Sequence, residues 1–255
     1  HCFYIESELK KRLDIPVFHD DQHGTAVIVA AGLINALEIQ KKKLSEVNIV
    51  FLGAGAAGCS CARLLKLMGA KNILLVDRKG VLNKKRDDLN IYNQDLAVES
   101  KSNTLEDAMN DSDVFIGVSG ANLLTPNLIS KMNKNPIIFA LANPNPEILP
   151  DEAHSVRDDI VMATGRSDFP NQVNNVLGFP FLFRGALDAK AKEITNKMLI
   201  AASTALAALA KEDVPQLVLD AYEAESMSFG KEYFIPKPFD PRLIDWVAKA
   251  VREAA

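Results

Sequence analysis

The sequence predicts an α/β protein: a doubly wound, mainly parallel sheet followed by a helical C-terminal appendage. Three observations carry that expectation. Short apolar runs of strand length alternate with helical patterns over roughly the first 185 residues, as in successive βα units. One of those runs passes directly into a glycine-rich turn and then a helix, and beyond Pro180 the pattern is helical only. With 255 residues, 48% apolar and 24% charged, the chain has enough material for one sizeable core with a smaller addition.

In chain order, Thr25 to Ile39 (TAVIVAAGLINALEI) has the length and apolar density of a buried helix, with Thr25 placed as its N-cap. Residues 47–52 (VNIVFL) form the first strand and run into Gly53-Ala54-Gly55-Ala56-Ala57-Gly58 and a helix ending near Met68. A second strand, NILLVD at 72–77, follows Gly69. Then come a polar loop through Gln94, a short helix near 104–109 and a strand at 113–118 (DVFIGV). Thr125-Pro126 reads as an N-cap with proline at N1. PIIFALA at 136–142 suits a strand covered on both faces, stopped by Asn143-Pro144-Asn145-Pro146, and a further strand is expected at 160–163. The pattern is helical from Pro180 to Lys211, and the tail, with Pro215, Pro236, Pro238 and Pro241, reads as loops and short helices. The expected organisation is a leading segment over 1–23, a nucleotide-binding domain over 24–185 and a helical region over 186–255.

Twenty-nine basic and 33 acidic residues are spread along the chain, so no electrostatic footprint for nucleic acid or an anionic membrane is visible. Lys41-Lys42-Lys43 reads as a solvated helix end. The apolar stretch from Met198 to Ala210 is too short to span a bilayer. Cys2, Cys59 and Cys61 have the spacing of neither a disulfide framework nor a zinc site, which suits a reducing compartment. A cytoplasmic location is the expectation, with an organellar one open. The chain opens on His1 and shows no secretory pattern, so it reads as a fragment or a processed product.

Glycines at 53, 55 and 58 form a G-x-G-x-x-G pattern, weak alone but here in strand, loop, helix order. Gly53 permits a tight turn, Gly55 a close approach of backbone to pyrophosphate, and Gly58 tight packing of helix on strand, while Ala54, Ala56 and Ala57 complete a small-residue cradle at the helix N-terminus. Asp77 ends the next strand about 20 residues on, where an acid accepts the adenosine ribose hydroxyls. These features predict a Rossmann-type NAD or NADP site. Arg78 and Lys79 would suit the 2′-phosphate of NADP, but Asp77 beside them would repel it, so the sequence leans towards NAD.

His19-Asp20-Asp21-Gln22-His23 is the densest cluster of metal-ligand types, and its carboxylates suit a hard divalent cation better than zinc. The same aspartates serve equally well as helix caps. Here IPVFHDDQHGTA, FLGAGAAG, VDRKG, GVSGA, IFALANPNPE, ATGRSD and VNNVLGFPFLFRGALD, in that order, resemble the malic enzyme family, closest to its compact bacterial-type members. The resemblance covers almost the whole chain and weakens after about Lys211.

The resemblance implies oxidation of malate with NAD or NADP and decarboxylation of the bound oxaloacetate to pyruvate, with Mg²⁺ or Mn²⁺ polarising the 2-oxygen. It makes Asp21 a direct metal ligand with Asp20 adjacent, places Asn143 near the coenzyme and substrate, and directs Asn175 to the substrate carboxylate; the Ser119-Gly120-Ala121 turn after a strand fits a backbone approach to the coenzyme, although glycine at a strand end serves other purposes too. Read without it, Asn143 is a turn residue before proline and Asn174-Asn175 satisfy loop backbone. It also implies a homo-oligomer, and an upstream domain bearing a tyrosine acid, a lysine base and a Glu-Asp pair of metal ligands. None of these has a counterpart here, so no catalytic acid or base is assigned within the chain. Two other readings stay open: a different two-domain dehydrogenase of amino or hydroxy acids, which has no need of the HDDQHGT segment, and a non-catalytic NAD(P)-binding regulatory module.

Overall fold

The structure is a computed structural model describing residues 1–255. The chain divides into two compact units, one of His1–Asn35 with Asn174–Ala255, the other Ala36–Val173.

The first unit opens on helix α1 (Cys2–Arg12), which the apolar pattern does not announce: Lys11 and Arg12 pair with Glu8 along the exposed surface, and only Glu6 is buried. A single π-turn (Asp20–Gly24) then leads into α2 (Thr25–Ile39), whose length matches the sequence reading and which is buried nearly all round. Thr25 is not its cap. The residue already has helical backbone angles, φ −57° and ψ −43°, because the π-turn brings the helical path in five residues earlier.

In the second unit the strands are β1 (Asn48–Leu52), β2 (Asn72–Asp77), β3 (Gly80–Val81), β4 (Val114–Gly117), β5 (Ile137–Ala140) and β6 (Val161–Thr164). They lie in the order β3-β2-β1-β4-β5-β6, all parallel except the two-residue β3, which pairs antiparallel with β2. This is the doubly wound Rossmann order with its third strand reduced to a stub. The stub lies in the stretch read as a polar loop, where two residues give no periodicity to detect. Helix α3 (Ala56–Leu67) packs on β1 and β2. Short helices α4 (Leu105–Met109), α5 (Pro126–Ser130) and α6 (Pro150–Val156) cover the face carrying Val50, Leu52, Phe115, Ile138 and Met162. All four residues of each of β4, β5 and β6 are buried, which is why they read as unbroken apolar runs.

Thr104 and Asp107 close a capping box on α4, whereas Thr125 stands at the N-cap of α5 without a side-chain bond, leaving Pro126 at the helix start. The lysine run is not all solvent: Lys42 reaches Asp113 at 2.6 Å with only 15% of its side chain exposed. The helical stretch after Pro180 breaks into α7 (Phe179–Asp188) and α8 (Asn196–Leu209), followed by α9 (Gln216–Ala221), a π-turn (Ile244–Ala248) and α10 (Lys249–Glu253). Gly185 lets α7 pack closely on that turn, since a Cβ there would stand 2.5 Å from the Ala248 carbonyl. No helix is long and apolar enough to cross a membrane.

Candidate functional site

Within the sheet unit, chain direction reverses its winding between β1 and β4, and the loops leaving the carboxyl ends of those strands flank the crevice where α/β sheets bind ligands. Gly53 turns off β1 with φ +120°, and a Cβ on it would strike the Val118 carbonyl at 2.9 Å. Gly58 lies under the turn: its Cβ would land 1.9 Å from the Gly53 oxygen, so only glycine allows α3 to start this close to β1. Gly55 differs, with nothing within 4 Å of the Cβ position, so that side faces open space.

Helix α3 has no side-chain cap and no acid in its first turn. Its first intrahelical bond runs from Cys59 N to Gly55 O, so the N–H groups of Ala56, Ala57 and Gly58 have no partner within the helix. Unused amides and the positive end of a 12-residue helix thus open beside Gly55, as an anion site requires.

Asp77 ends β2 but is not a bare carboxylate. Its Oδ1 accepts from Lys79 N at 2.8 Å and Arg86 Nη1 at 2.9 Å, and Oδ2 accepts from Arg86 Nη2 at 2.8 Å. Against partial burial, which pushes the acid up, Arg86 and the Lys79 amide hold it below the usual carboxylate range. Arg86 also grips Asp88 by two bonds of 2.8 Å, and Lys79 Nζ reaches Asp88 at 2.8 Å. Ser119 and Asn143 are both exposed just beyond β4 and β5. Between those two loop starts lies Glu147, wholly buried, accepting from Ser119 N at 3.1 Å and Ala142 N at 3.0 Å. Burial pushes its carboxyl up, and these two amides together with its own N–H oppose that.

In the other unit the π-turn presents Asp21 to solvent and folds Asp20 inward. Asn175 donates from Nδ2 to Asp20 O at 3.3 Å and Oδ2 at 3.2 Å, and its Oδ1 accepts from Thr25 Oγ1 at 3.2 Å. Asp20 Oδ1 is buried with no hydrogen-bond partner, and Gly24 makes room for it, since a Cβ there would stand 2.0 Å away. Burial pushes the Asp20 carboxyl up, with Asn175 opposing and the Asp21 charge adding. Behind the turn, Glu6 Oε1 meets His23 Nε2 at 2.7 Å and Lys10 at 2.8 Å, and Oε2 accepts from Gln22 at 3.0 Å. Although burial opposes it, His23 and Lys10 pull Glu6 down to about 2, so α1 anchors the turn by a charged strut. Asn174 does satisfy backbone, accepting from Val176 N, whereas Asn175 is committed to Asp20 and Thr25.

Residues 22–222 match the family described as malic enzyme, NAD binding domain. The chain belongs to the malic enzyme family. Over its whole length it is 54% identical to an NADP-dependent malic enzyme of Halomonas elongata and 48% identical to an NAD-dependent malic enzyme of Rhizobium meliloti. The chain spans 61% of the first relative and 33% of the second. The crystal structure of an NAD-dependent malic enzyme from Thermotoga maritima superposes with a TM-score of 0.88 at 42% identity, covering 100% of this chain and 64% of that one.

Within this malic enzyme sheet, Arg86 and Glu147 are the two groups beside the site that the residue pattern did not single out. Arg86 hides in the basic run Lys84-Lys85-Arg86, and only the path of the chain after β3 returns it to Asp77. Glu147 closes IFALANPNPE and carries a visible signal: a carboxylate between Pro146 and the apolar pair Ile148-Leu149 that leads into α6.

Proposed function

We propose that this chain is the coenzyme-binding part of an enzyme that oxidises malate and decarboxylates the product to pyruvate, using NADP in preference to NAD and a divalent cation. The observation that carries the reading is the open face at Gly55 beside the unpartnered amides of Ala56, Ala57 and Gly58, in a chain of malic enzyme descent. Gly53 to Gly58 would hold the coenzyme's pyrophosphate, and Ser119 and Asn143 would serve its nicotinamide half. A bound nicotinamide supplies the hydride acceptor, and the protein's task is to orient it.

The preference for NADP follows from Arg86. A free Asp77 would accept both ribose hydroxyls, but three donors already occupy its oxygens. Residues 77–88 carry five cations, Arg78, Lys79, Lys84, Lys85 and Arg86, against Asp77, Asp87 and Asp88. A 2′-phosphate offers Arg86 a stronger, doubly charged partner. Replacing Arg86 by Ala should weaken NADP by about tenfold or more and leave NAD within about threefold. Loss of both in equal measure, or of NAD alone, overturns the assignment.

On the cation side, carboxylate oxygen is the right donor for Mg²⁺ or Mn²⁺, and the unpartnered Asp20 Oδ1 beside exposed Asp21 fits that use. No group of three His, Cys, Asp or Glu side chains converges to hold a metal, so Asp21 and Asp20 supply only part of the coordination. Bound there, a cation supplies a Lewis acid for the 2-oxygen of malate. Asn175 holds the Asp20 carboxylate in place, and its position in the VNNV motif, rather than a free amide, supports assigning it to the substrate carboxylate. In functional terms, 1–23 serves the cation, and 24–185 serves the coenzyme with Asn175 directed to the substrate. In the whole protein, Asp21→Asn should abolish metal-dependent decarboxylation of added oxaloacetate, and undiminished activity would leave the residue a turn former.

A further inference from the structure

We propose that Glu147 is a positioning residue for the nicotinamide end of the coenzyme: its buried carboxylate ties the backbone N–H of Ser119, beyond β4, to that of Ala142, beyond β5. The inference rests on the reading of Ser119 and Asn143 as coenzyme contacts.

A carboxyl group with no exposure, held by backbone amides and by no cation, is costly to bury, and an apolar side chain of similar size would stabilise the core better. The cost is incurred jointly with a second unusual choice. Gly117 ends β4, and a Cβ there would fall 2.3 Å from Glu147 Cδ and 2.5 Å from Oε1, so the strand gives up a side chain to admit the carboxyl. Neither residue is needed to pair the strands. The β4–β5 ladder already aligns Gly117 with Ala140 and closes with Leu141 N donating to Gly117 O at 3.0 Å.

What Glu147 adds lies past the last rung. Its Oε1 fixes Ser119, the start of the Ser119-Gly120-Ala121 turn, and its Oε2 fixes Ala142, the residue before Asn143. Its own backbone strengthens the tie: Leu124 N donates to Glu147 O at 3.0 Å and Asn122 N to Pro146 O at 3.1 Å. The two loop starts are thereby held at one spacing by one rigid group. The phosphate cradle at Gly53 to Gly58 takes no bond from Glu147, so the two halves of the coenzyme depend on different supports.

That separation gives the test. With the full chain, the Kd of NADPH and NADH is measured by fluorescence, and that of the matching ADP-ribose fragments, with and without the 2′-phosphate, by calorimetry. In Glu147→Gln one acceptor oxygen becomes an amide that faces an N–H. The coenzymes should weaken by about tenfold or more, while the fragments stay within about twofold. Gly117→Ala displaces the carboxyl by another route and should give the same split, which keeps the inference testable should Glu147→Gln not fold. Equal weakening of coenzyme and fragment, or no change in either, overturns it. A wild-type chain that bound neither probe would sink the coenzyme reading itself, and this inference with it.

Discussion

Gly55 and Gly58 belong to one motif, yet replacing each by alanine should have opposite consequences. At Gly58 the new Cβ arrives 1.9 Å from the Gly53 carbonyl oxygen, against the 3.0 Å below which real Cβ contacts essentially never fall. The start of α3 must therefore retreat by about 1.1 Å, in a backbone held between β1 and Val118. Overpacking of that kind costs about 2–3 kcal/mol of stability, and the retreat also takes the amides of Ala56 and Ala57 off target. At Gly55 the Cβ meets nothing within 4 Å, and φ is −87°, an angle alanine accepts. Stability should be unchanged or rise by about 0.5 kcal/mol through the unfolded chain. The methyl group stands where a pyrophosphate must approach, however, and losing two charge-assisted bonds at about 1.5 kcal/mol each weakens coenzyme by about a hundredfold. Urea unfolding followed by circular dichroism and a fluorescence titration with reduced coenzyme measure both quantities on each variant. Full affinity in Gly55→Ala would refute the anion site. Unchanged stability in Gly58→Ala would refute the close helix–strand contact.

Two further outcomes follow from groups away from the coenzyme. Asn35 is wholly buried and donates to the carbonyls of Ala207 at 2.8 Å and Phe234 at 2.9 Å; Asn35→Ala should lower unfolding stability by about 2–4 kcal/mol, and a urea melt showing less than about 1 kcal/mol would mean those carbonyls find other donors. Asp159 is held at about 2 by Arg157, at 2.6 and 2.7 Å, against partial burial and with help from Asn135 N. Because its folded pKa is depressed, its contribution is complete above the ordinary value of 3.8 and is lost as pH falls from there through about 2. With its side chain 27% exposed, the contribution is about 1 kcal/mol after screening. In Asp159→Asn, stability at pH 7 should fall by about that amount and the acid limb of the pH–stability curve should flatten between pH 4 and 2; an unaltered limb would assign the acid sensitivity elsewhere.

The sheet is legible because its strands are buried on both faces, so VNIVFL, NILLVD and PIIFALA stand out as continuous apolar runs, trimmed in the structure by four residues in all. Where burial and apolarity part company, the reading failed. Helix α1 buries a glutamate rather than a leucine, because Glu6 exists to hold Gln22 and His23. The two-residue β3 carries no period, and the π-turn at Asp20–Gly24 shifts the helix start in a way no capping rule anticipates.

At the coenzyme site the same division holds between local and distant causes. The glycines announce themselves because their spacing follows a local path, a turn with positive φ at Gly53, an opening at Gly55 and a contact of Gly58 with Gly53, even though Val118 crowds Gly53 from afar in sequence. Arg86 and Glu147 answer to partners brought up by tertiary structure, Asp77 nine residues back and Ser119 28 residues back. Sequence spacing holds no record of such pairs unless the chain path is known. Glu147 nonetheless left a trace, since a carboxylate bordered by Pro146 and Ile148, and set against a strand that ends in Gly117 where valine or isoleucine would pack better, violates local preference twice. Two violations that resolve each other in space are what a site selects and a core does not.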